Sequence, residues 1–249
     1  MDLKEQHDNH SRHPWELSRF DFFARCLETS RPSKPHTILD VGAGDAWFSK
    51  RLLGQLPDDA RVTCWDSGYE RLGASAAARL ATSRIELVHE QPGGTFDVVL
   101  MLDVLEHVPD DVEFLRSIVA RNMSATSTLL LSVPAWQSLR SSHDLALEHC
   151  RRYSPATATS VLESAGLHIR ASGGLFHSFL APRALQVLKE RVFPPAPGGE
   201  RPSSEWRGGP ALTAAIHAAL RIDNRLSRWS SLAKLDVPGL SWWAVCERA

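Results

Sequence analysis

The chain alternates short apolar runs with longer stretches of helical spacing. Ile38-Leu39-Asp40-Val41, Arg61 to Asp66, Ile85 to His89, Phe96 to Leu102 and Thr128 to Pro134 read as strands, most of them buried on both faces. Between them, Trp47 to Leu53, Arg71 to Ala81 and a stretch from Pro109-Asp110-Asp111 to about Arg121 carry apolar residues at helical spacing. A first helix is predicted from Pro14, docked by Trp15, Phe22, Phe23, Cys26 and Leu27 and ended near Arg31-Pro32. Strands alternating with helices predict an α/β fold, a doubly wound, mostly parallel sheet with helices on both faces.

After Pro134 the pattern changes. Trp136 to Tyr153 is a loop rich in His, Arg and aromatics. Ser154-Pro155 opens a helix that runs to Ala165 and stops at Gly166. Leu167 to Ala171 predicts a sixth strand and Ser241 to Glu247 a seventh. Between these two strands, Leu175 to Phe193, with Leu180, Ala184, Leu185 and Leu188, and Ala211 to Leu232, with Leu212, Ile216, Leu220 and Leu226, read as helices of an insertion. Pro194 to Pro210 reads as mobile. The expected organisation is a disordered tail at 1–13, a ligand-binding domain at 14–175 completed by 236–249, and a helical insertion at 176–235. That insertion is expected to pack as a cap, to act as a lid, or to touch a membrane peripherally through Leu175 to Val192.

Composition narrows the options. The 249 residues are 43% hydrophobic and 23% charged, enough for one generous domain, and the net charge of −1 gives no field for nucleic acid. Cys26, Cys64, Cys150 and Cys246 are scattered without a Cys-x-x-Cys pair, and no run reaches the roughly 18 apolar residues of a membrane span. The N-terminus has no apolar signal-peptide core, so a cytoplasmic protein is expected. His7, His10 and His13 sit in the polar tail as solvated side chains.

The chemistry gathers where strands end. Asp40-x-Gly42-x-Gly44 is a strand-end carboxylate followed by a glycine turn and a helix, the arrangement that lets backbone approach a ligand closely. A dinucleotide site would want a third glycine where Trp47 stands. Asp66 ends the next strand about 20 residues further on, where a ribose diol finds its acceptor. Asp40, Gly42, Gly44, Asp66, Glu90 and Asp103 all fall at strand carboxyl ends, the ligand-binding edge of an open α/β sheet.

The Asp40-x-Gly-x-Gly turn, the Phe96 to Pro109 run and the Ser142-His143-Asp144 to His149-x-Arg151-Arg152-Tyr153 loop resemble class I S-adenosylmethionine-dependent methyltransferases of the bacterial small-molecule type. The resemblance implies the seven-stranded class I fold and S-adenosyl-L-methionine as cofactor. It also implies cofactor contacts at Asp40, Gly42, Gly44, Asp66, His89, Glu90, Leu102 and Asp103, with Arg19 of the first helix facing the cofactor carboxylate or lying exposed. The acceptor is expected under the 136–153 loop. His143, oriented by Asp144, and His149 are the candidate acid–base residues, with His143 favoured. Arg151 and Arg152 are expected to pin the loop through Glu148 and nearby acids. Asp103, Glu106 and His107 share a helical face that His143 or His149 could complete as a metal site, yet Leu-Glu-His is widespread in the family without metal, and no metal is assigned. A non-catalytic cofactor-binding protein and a nucleotide-dependent oxidoreductase or epimerase are the alternatives.

Overall fold

The computed structural model describes residues 12–31, 33–193, 206 and 208–249. Most of the expected tail, including His7 and His10, and most of the Pro194 to Pro210 segment lie outside the described residues. The elements in chain order are α1 (Pro14–Ser30), β1 (Thr37–Val41), α2 (Trp47–Leu53), β2 (Arg61–Trp65), α3 (Ala74–Leu80), β3 (Ile85–Val88), β4 (Phe96–Leu102), α4 (Asp111–Asn122), β5 (Met123–Pro134), α5 (Ser142–Ala146), α6 (Pro155–Ser164), β6 (Leu167–Leu175), α7 (Leu180–Val192), α8 (Pro210–Leu232) and β7 (Ser241–Arg248).

One seven-stranded sheet runs β3-β2-β1-β4-β5-β7-β6. The first five strands pair in parallel, and β7 lies antiparallel between β5 and β6. Strand order reverses between β1 and β4, so their carboxyl ends open the crevice where such sheets hold ligands. The pleat sorts the apolar runs into two cores. Ile38, Val98 and Leu100 pack with Phe20, Phe23 and Leu52 of α1 and α2. Leu39, Val41, Val99 and Met101 pack on the other face with Leu115 and Ile118 of α4 and Leu162 of α6.

Boundaries move where polar side chains act locally. Asp66 accepts from Gly68 N at 2.8 Å and caps a short 3-10 turn over Ser67–Arg71, so α3 starts at Ala74 rather than Arg71. Strand β5 starts five residues before Thr128, where Ser124 and Thr126 hide it from an apolar count. Within the insertion, α8 docks on α1 and β6 through Leu220, and Asn224 Nδ2 donates to Ser18 O at 2.9 Å. The expected apolar face of α7 does not face inward. Leu185 and Leu188 are 66% and 58% exposed, while Arg183 and Val187 are buried. The reason is what α7 meets: a carboxylate and main-chain groups of the 138–144 segment, which an arginine satisfies and a leucine cannot.

Candidate functional site

The glycine turn has the backbone its sequence requires. Gly42 and Gly44 have φ of 67° and 54°. A Cβ on Gly42 would stand 2.6 Å from Val104 Cγ2, which no side chain tolerates. Ala46 adopts φ 56° and is fully buried, which explains why this position takes only a small residue. Asp40 is 5% exposed and accepts from Ser49 Oγ at 2.6 Å. Burial outweighs that hydrogen bond and pushes its carboxyl up to about 6. Asp66 accepts from Gly44 N at 3.0 Å, and the Tyr69 hydroxyl donates to Gly44 O at 2.7 Å, so the acid and the turn hold each other. Trp47 packs against Phe20 of α1, with the Arg12 and Arg51 guanidinium groups over its ring.

Asp103 leaves β4 with φ 59°, a conformation a non-glycine residue keeps only where its surroundings enforce it. Ser132 Oγ donates to its Oδ1 at 2.8 Å and Arg19 Nη1 to its Oδ2 at 2.6 Å. Arg19 is therefore buried and directed at Asp103, not an exposed helix charge, and its guanidinium lies 4.5 Å from the Trp15 ring centroid. Its Nε–H is buried and has no hydrogen-bond partner among the described residues. His89 and Glu90 are exposed at the β3 exit, tied in by Trp65 Nε1 donating to His89 O at 3.3 Å. Leu102 is buried at the end of β4.

The 136–153 loop is organised by Asp144, which is fully buried. It receives Arg152 Nε and Arg183 Nη2, each at 2.7 Å, and Ser141 N at 2.9 Å, and its Oδ1 lies 3.0 Å from His149 Nδ1. Burial alone would raise this carboxyl, but hydrogen bonds from His149 and Arg152, the Arg152 charge and the Ser141 N–H hold it well below the usual carboxylate range. Asp144 thus orients His149 and not His143. The cause is position: Asp144 sits in the first turn of α5, with its carboxylate turned to the Ser141 cap, whereas His143 contributes only its backbone N–H to that cap. The His143 ring is half-buried, and desolvation followed by the Arg183 charge lowers its pKa. Arg151 and Arg152 do pin the loop, through other acids than Glu148. Arg151 binds Asp111 at 2.7 Å, Arg152 takes Asp144, and the Tyr153 hydroxyl donates to Asp111 at 2.8 Å.

His149 Nε2 lies 3.9 Å from Glu106 Oε1, in the 3-10 turn Leu105–His107 that follows Asp103. Glu106 is 1% exposed and its Oε2 has no partner among the described residues. Burial, then the neighbouring Asp103 charge, raises its pKa well above the usual carboxylate value. Glu106, His107 and His149 each bring one donor atom within 4.8 Å of the others, a set that could hold a divalent cation. Asp103 stands outside that set, occupied by Arg19 and Ser132. His13, from the N-terminal histidines, caps α1 by accepting from Trp15 N at 3.1 Å.

Several residues of the site gave no signal in sequence. Ser49, Ser132 and Tyr69 anchor the strand-end carboxylates and the turn from other elements. Arg183 comes from α7, 39 positions beyond the carboxylate it binds. Glu190 joins it by accepting from Ser142 N at 2.9 Å, and Arg191 Nη2 donates to Ser138 O at 2.9 Å. An apolar slot of about 430 Å³ lies between this loop and α7, lined by Trp136, Leu139, Leu180, Ala184 and Pro238 among others.

The sheet order, the glycine turn and the carboxylates at the strand ends define a class I S-adenosylmethionine-dependent methyltransferase. The buried Asp40 suits a ligand that brings cations, and the partnerless Arg19 Nε–H suits a ligand carboxylate. The chain belongs to the family described as "Methyltransferase domain", whose model matches residues 10–172. It is 27% identical over 164 residues to a ubiquinone biosynthesis O-methyltransferase of Pseudoalteromonas translucida, covering 57% of this chain and 68% of that one. A protein of the same description from Aeromonas salmonicida is 27% identical over 169 residues, 58% of this chain and 68% of its own. The structure of the plantazolicin methyltransferase BpumL in complex with SAH superposes with a TM-score of 0.55 at 13% identity, over 94% of this chain and 84% of that one. The oxidoreductase and non-catalytic alternatives give way to this assignment: the chain is an S-adenosylmethionine-dependent methyltransferase. Among the described residues no helix is long and apolar enough to cross a membrane.

Proposed function

We propose that the chain methylates a hydroxyl group on a small acceptor with an apolar portion, and that His149 takes the hydroxyl proton. When bound, S-adenosylmethionine supplies a methyl group activated by a positively charged sulfur. The work left to the chain is to align the acceptor, exclude water and accept a proton. One observation carries the reading: the Asp144–His149 pair, with His149 Nε2 against Glu106 in the turn that follows Asp103. An ionised carboxylate only accepts hydrogen bonds, so His149 Nδ1 carries the proton and Nε2 keeps the lone pair a base needs. Asp144, ionised and enclosed by two arginines, holds that tautomer and the ring orientation, as a carboxylate does for a catalytic histidine elsewhere.

The apolar slot between Trp136 and α7 supports an acceptor with an aliphatic or aromatic body. The naming of two relatives as O-methyltransferases agrees with a hydroxyl as the reacting group. The test is a cofactor-turnover assay with phenols and catechols of increasing alkyl length. Turnover that rises with chain length supports the reading; turnover only with short polar amines overturns it.

A second reading of the same cluster rests on Glu106 Oε2, which is buried without a partner. A divalent cation held by Glu106, His107 and His149 would bind the acceptor oxygen and lower its pKa without a protein base. Loss of turnover on chelation and recovery with added magnesium or zinc favours this reading over the base.

A further inference from the structure

A second cleft, of about 550 Å³, opens between α1 and α8, beside the last turn of α2. It is within the size range of small-ligand sites, yet its walls are basic. Arg51 of α2 and Arg221, Arg225 and Arg228 of α8 line it, and among the described residues none of these four guanidinium groups makes a hydrogen bond or ion pair. The two carboxylates on the same wall are already matched. Asp21 Oδ2 lies 2.9 Å from His217 Nε2, and Glu28 accepts from Arg25 Nη1 at 2.7 Å. Five arginines therefore face two acids in one cleft, in a chain whose net charge is −1.

Arg51 lines the cleft with its guanidinium carbon over the rings of Phe20 and Trp47, at 4.7 and 5.3 Å from their centroids. At 221, 225 and 228 the α8 arginines are spaced four and three apart, so they share one helix flank. Like charges gathered in a concave wall repel each other and focus a positive potential into it. The guanidinium fork matches phosphate oxygens two at a time. Asn224 lies at the same wall, 7% exposed, with an Oδ1 that has no partner, an acceptor for a hydroxyl on the ligand.

We propose that the α1–α8 cleft is a binding site for a phosphate-bearing anion, separate from the cofactor crevice, with Arg51, Arg221, Arg225 and Arg228 as its ligands. The same chemistry is offered by a free polyphosphate and by the headgroups of an anionic bilayer. Inorganic pyrophosphate is titrated by calorimetry into the full chain at low salt, with and without saturating S-adenosylhomocysteine. Vesicles of phosphatidylglycerol and of phosphatidylcholine are tested in parallel by co-sedimentation. Expected are pyrophosphate binding that S-adenosylhomocysteine leaves unchanged and an affinity at least about tenfold weaker in Arg221→Ala/Arg225→Ala. Binding to phosphatidylglycerol vesicles alone, lost in the same variant, also supports the site and names the lipid as source. Three outcomes overturn it: no binding of either anion, equal binding by wild type and variant, or displacement of pyrophosphate by S-adenosylhomocysteine. Arg221→Lys/Arg225→Lys keeps the charge without the fork, and unchanged circular dichroism in both variants shows that the fold is intact.

Discussion

Asp144 Oδ1 lies 3.0 Å from His149 Nδ1, and two arginines close over the same carboxylate. The pair makes His149, rather than His143, the residue with a defined tautomer, its Nε2 lying 3.9 Å from Glu106 Oε1. His149→Gln is expected to lower kcat by about 10²-fold or more, the usual range for losing a general base, with cofactor affinity unchanged. His143→Ala is expected to cost less than about fivefold. Steady-state kinetics and calorimetry on both variants check the order; a larger loss in His143→Ala moves the proton-accepting role to that residue.

The same carboxylate is a stability element. Removing it leaves Arg152 and Arg183, both buried, without their counter-charge. Breaking a buried pair costs about 3–5 kcal/mol, and for a chain of this length each kcal/mol shifts Tm by about 2–4 °C. Asp144→Ala is therefore expected to lower Tm by roughly 6–20 °C in a thermal melt. A change below 2 °C would mean the arginines find other acceptors.

Asp40, as a proposed cofactor contact, is expected to give cofactor binding a pH dependence. Its folded pKa, near 6, is above that of an unfolded aspartate, so burying it as a carboxylate costs stability above that pH, and the neutral form prevails below it. A cationic cofactor binds the ionised form. Cofactor affinity is expected to fall as pH drops below about 6, and binding near pH 6 is expected to release protons. Calorimetry in buffers of different ionisation enthalpy measures that release. Asp40→Asn is expected to abolish the pH dependence together with most of the affinity; retention of wild-type affinity in this variant would contradict the site.

How legible this site is in sequence depends on how local its interactions are. The β1–β5 runs, and the places of Asp40, Gly42 and Asp66 at strand ends, are written in local spacing, although Asp66 bonds Gly44 N of the neighbouring turn. Arg183, Ser132 and Ser49 act across elements and look like ordinary surface or strand residues until the sheet brings them together. Asp144 shows the middle case. Its neighbour in sequence is His143, yet α5 turns its carboxylate toward His149, five positions on. Likewise α7 reads as apolar through Leu185 and Leu188, because periodicity counts leucines and cannot register that the surface awaiting the helix is made of carbonyls and a carboxylate.

Gly42 is the position where geometry leaves least room. Alanine there needs φ 67°, which costs an L-residue about 1–2 kcal/mol, and sets a methyl group 2.6 Å from Val104 Cγ2. Gly42→Ala is expected to weaken cofactor binding by at least about tenfold. Val104→Ala in the same chain relieves the contact and not the dihedral cost, so partial recovery is expected. Full recovery would show that the contact alone matters, and no recovery that the dihedral does.

Arg19 and Asp103 join α1 to the exit of β4. Their 2.6 Å bond is mostly shielded from water and holds Asp103 at its left-handed φ together with Ser132. Arg19→Ala removes a charge-assisted hydrogen bond, typically about 1.5–3 kcal/mol, and a buried Nε–H that has no partner among the described residues. The expected loss of cofactor affinity is about 10- to 100-fold, with kcat at saturating cofactor reduced less. Arg19→Lys keeps the charge and can still reach one carboxylate oxygen, but it cannot place a second N–H while doing so. An intermediate affinity is expected for it, read by the same titration. If Arg19→Lys matches wild type, the second N–H contributes nothing, and Arg19 serves α1 docking alone.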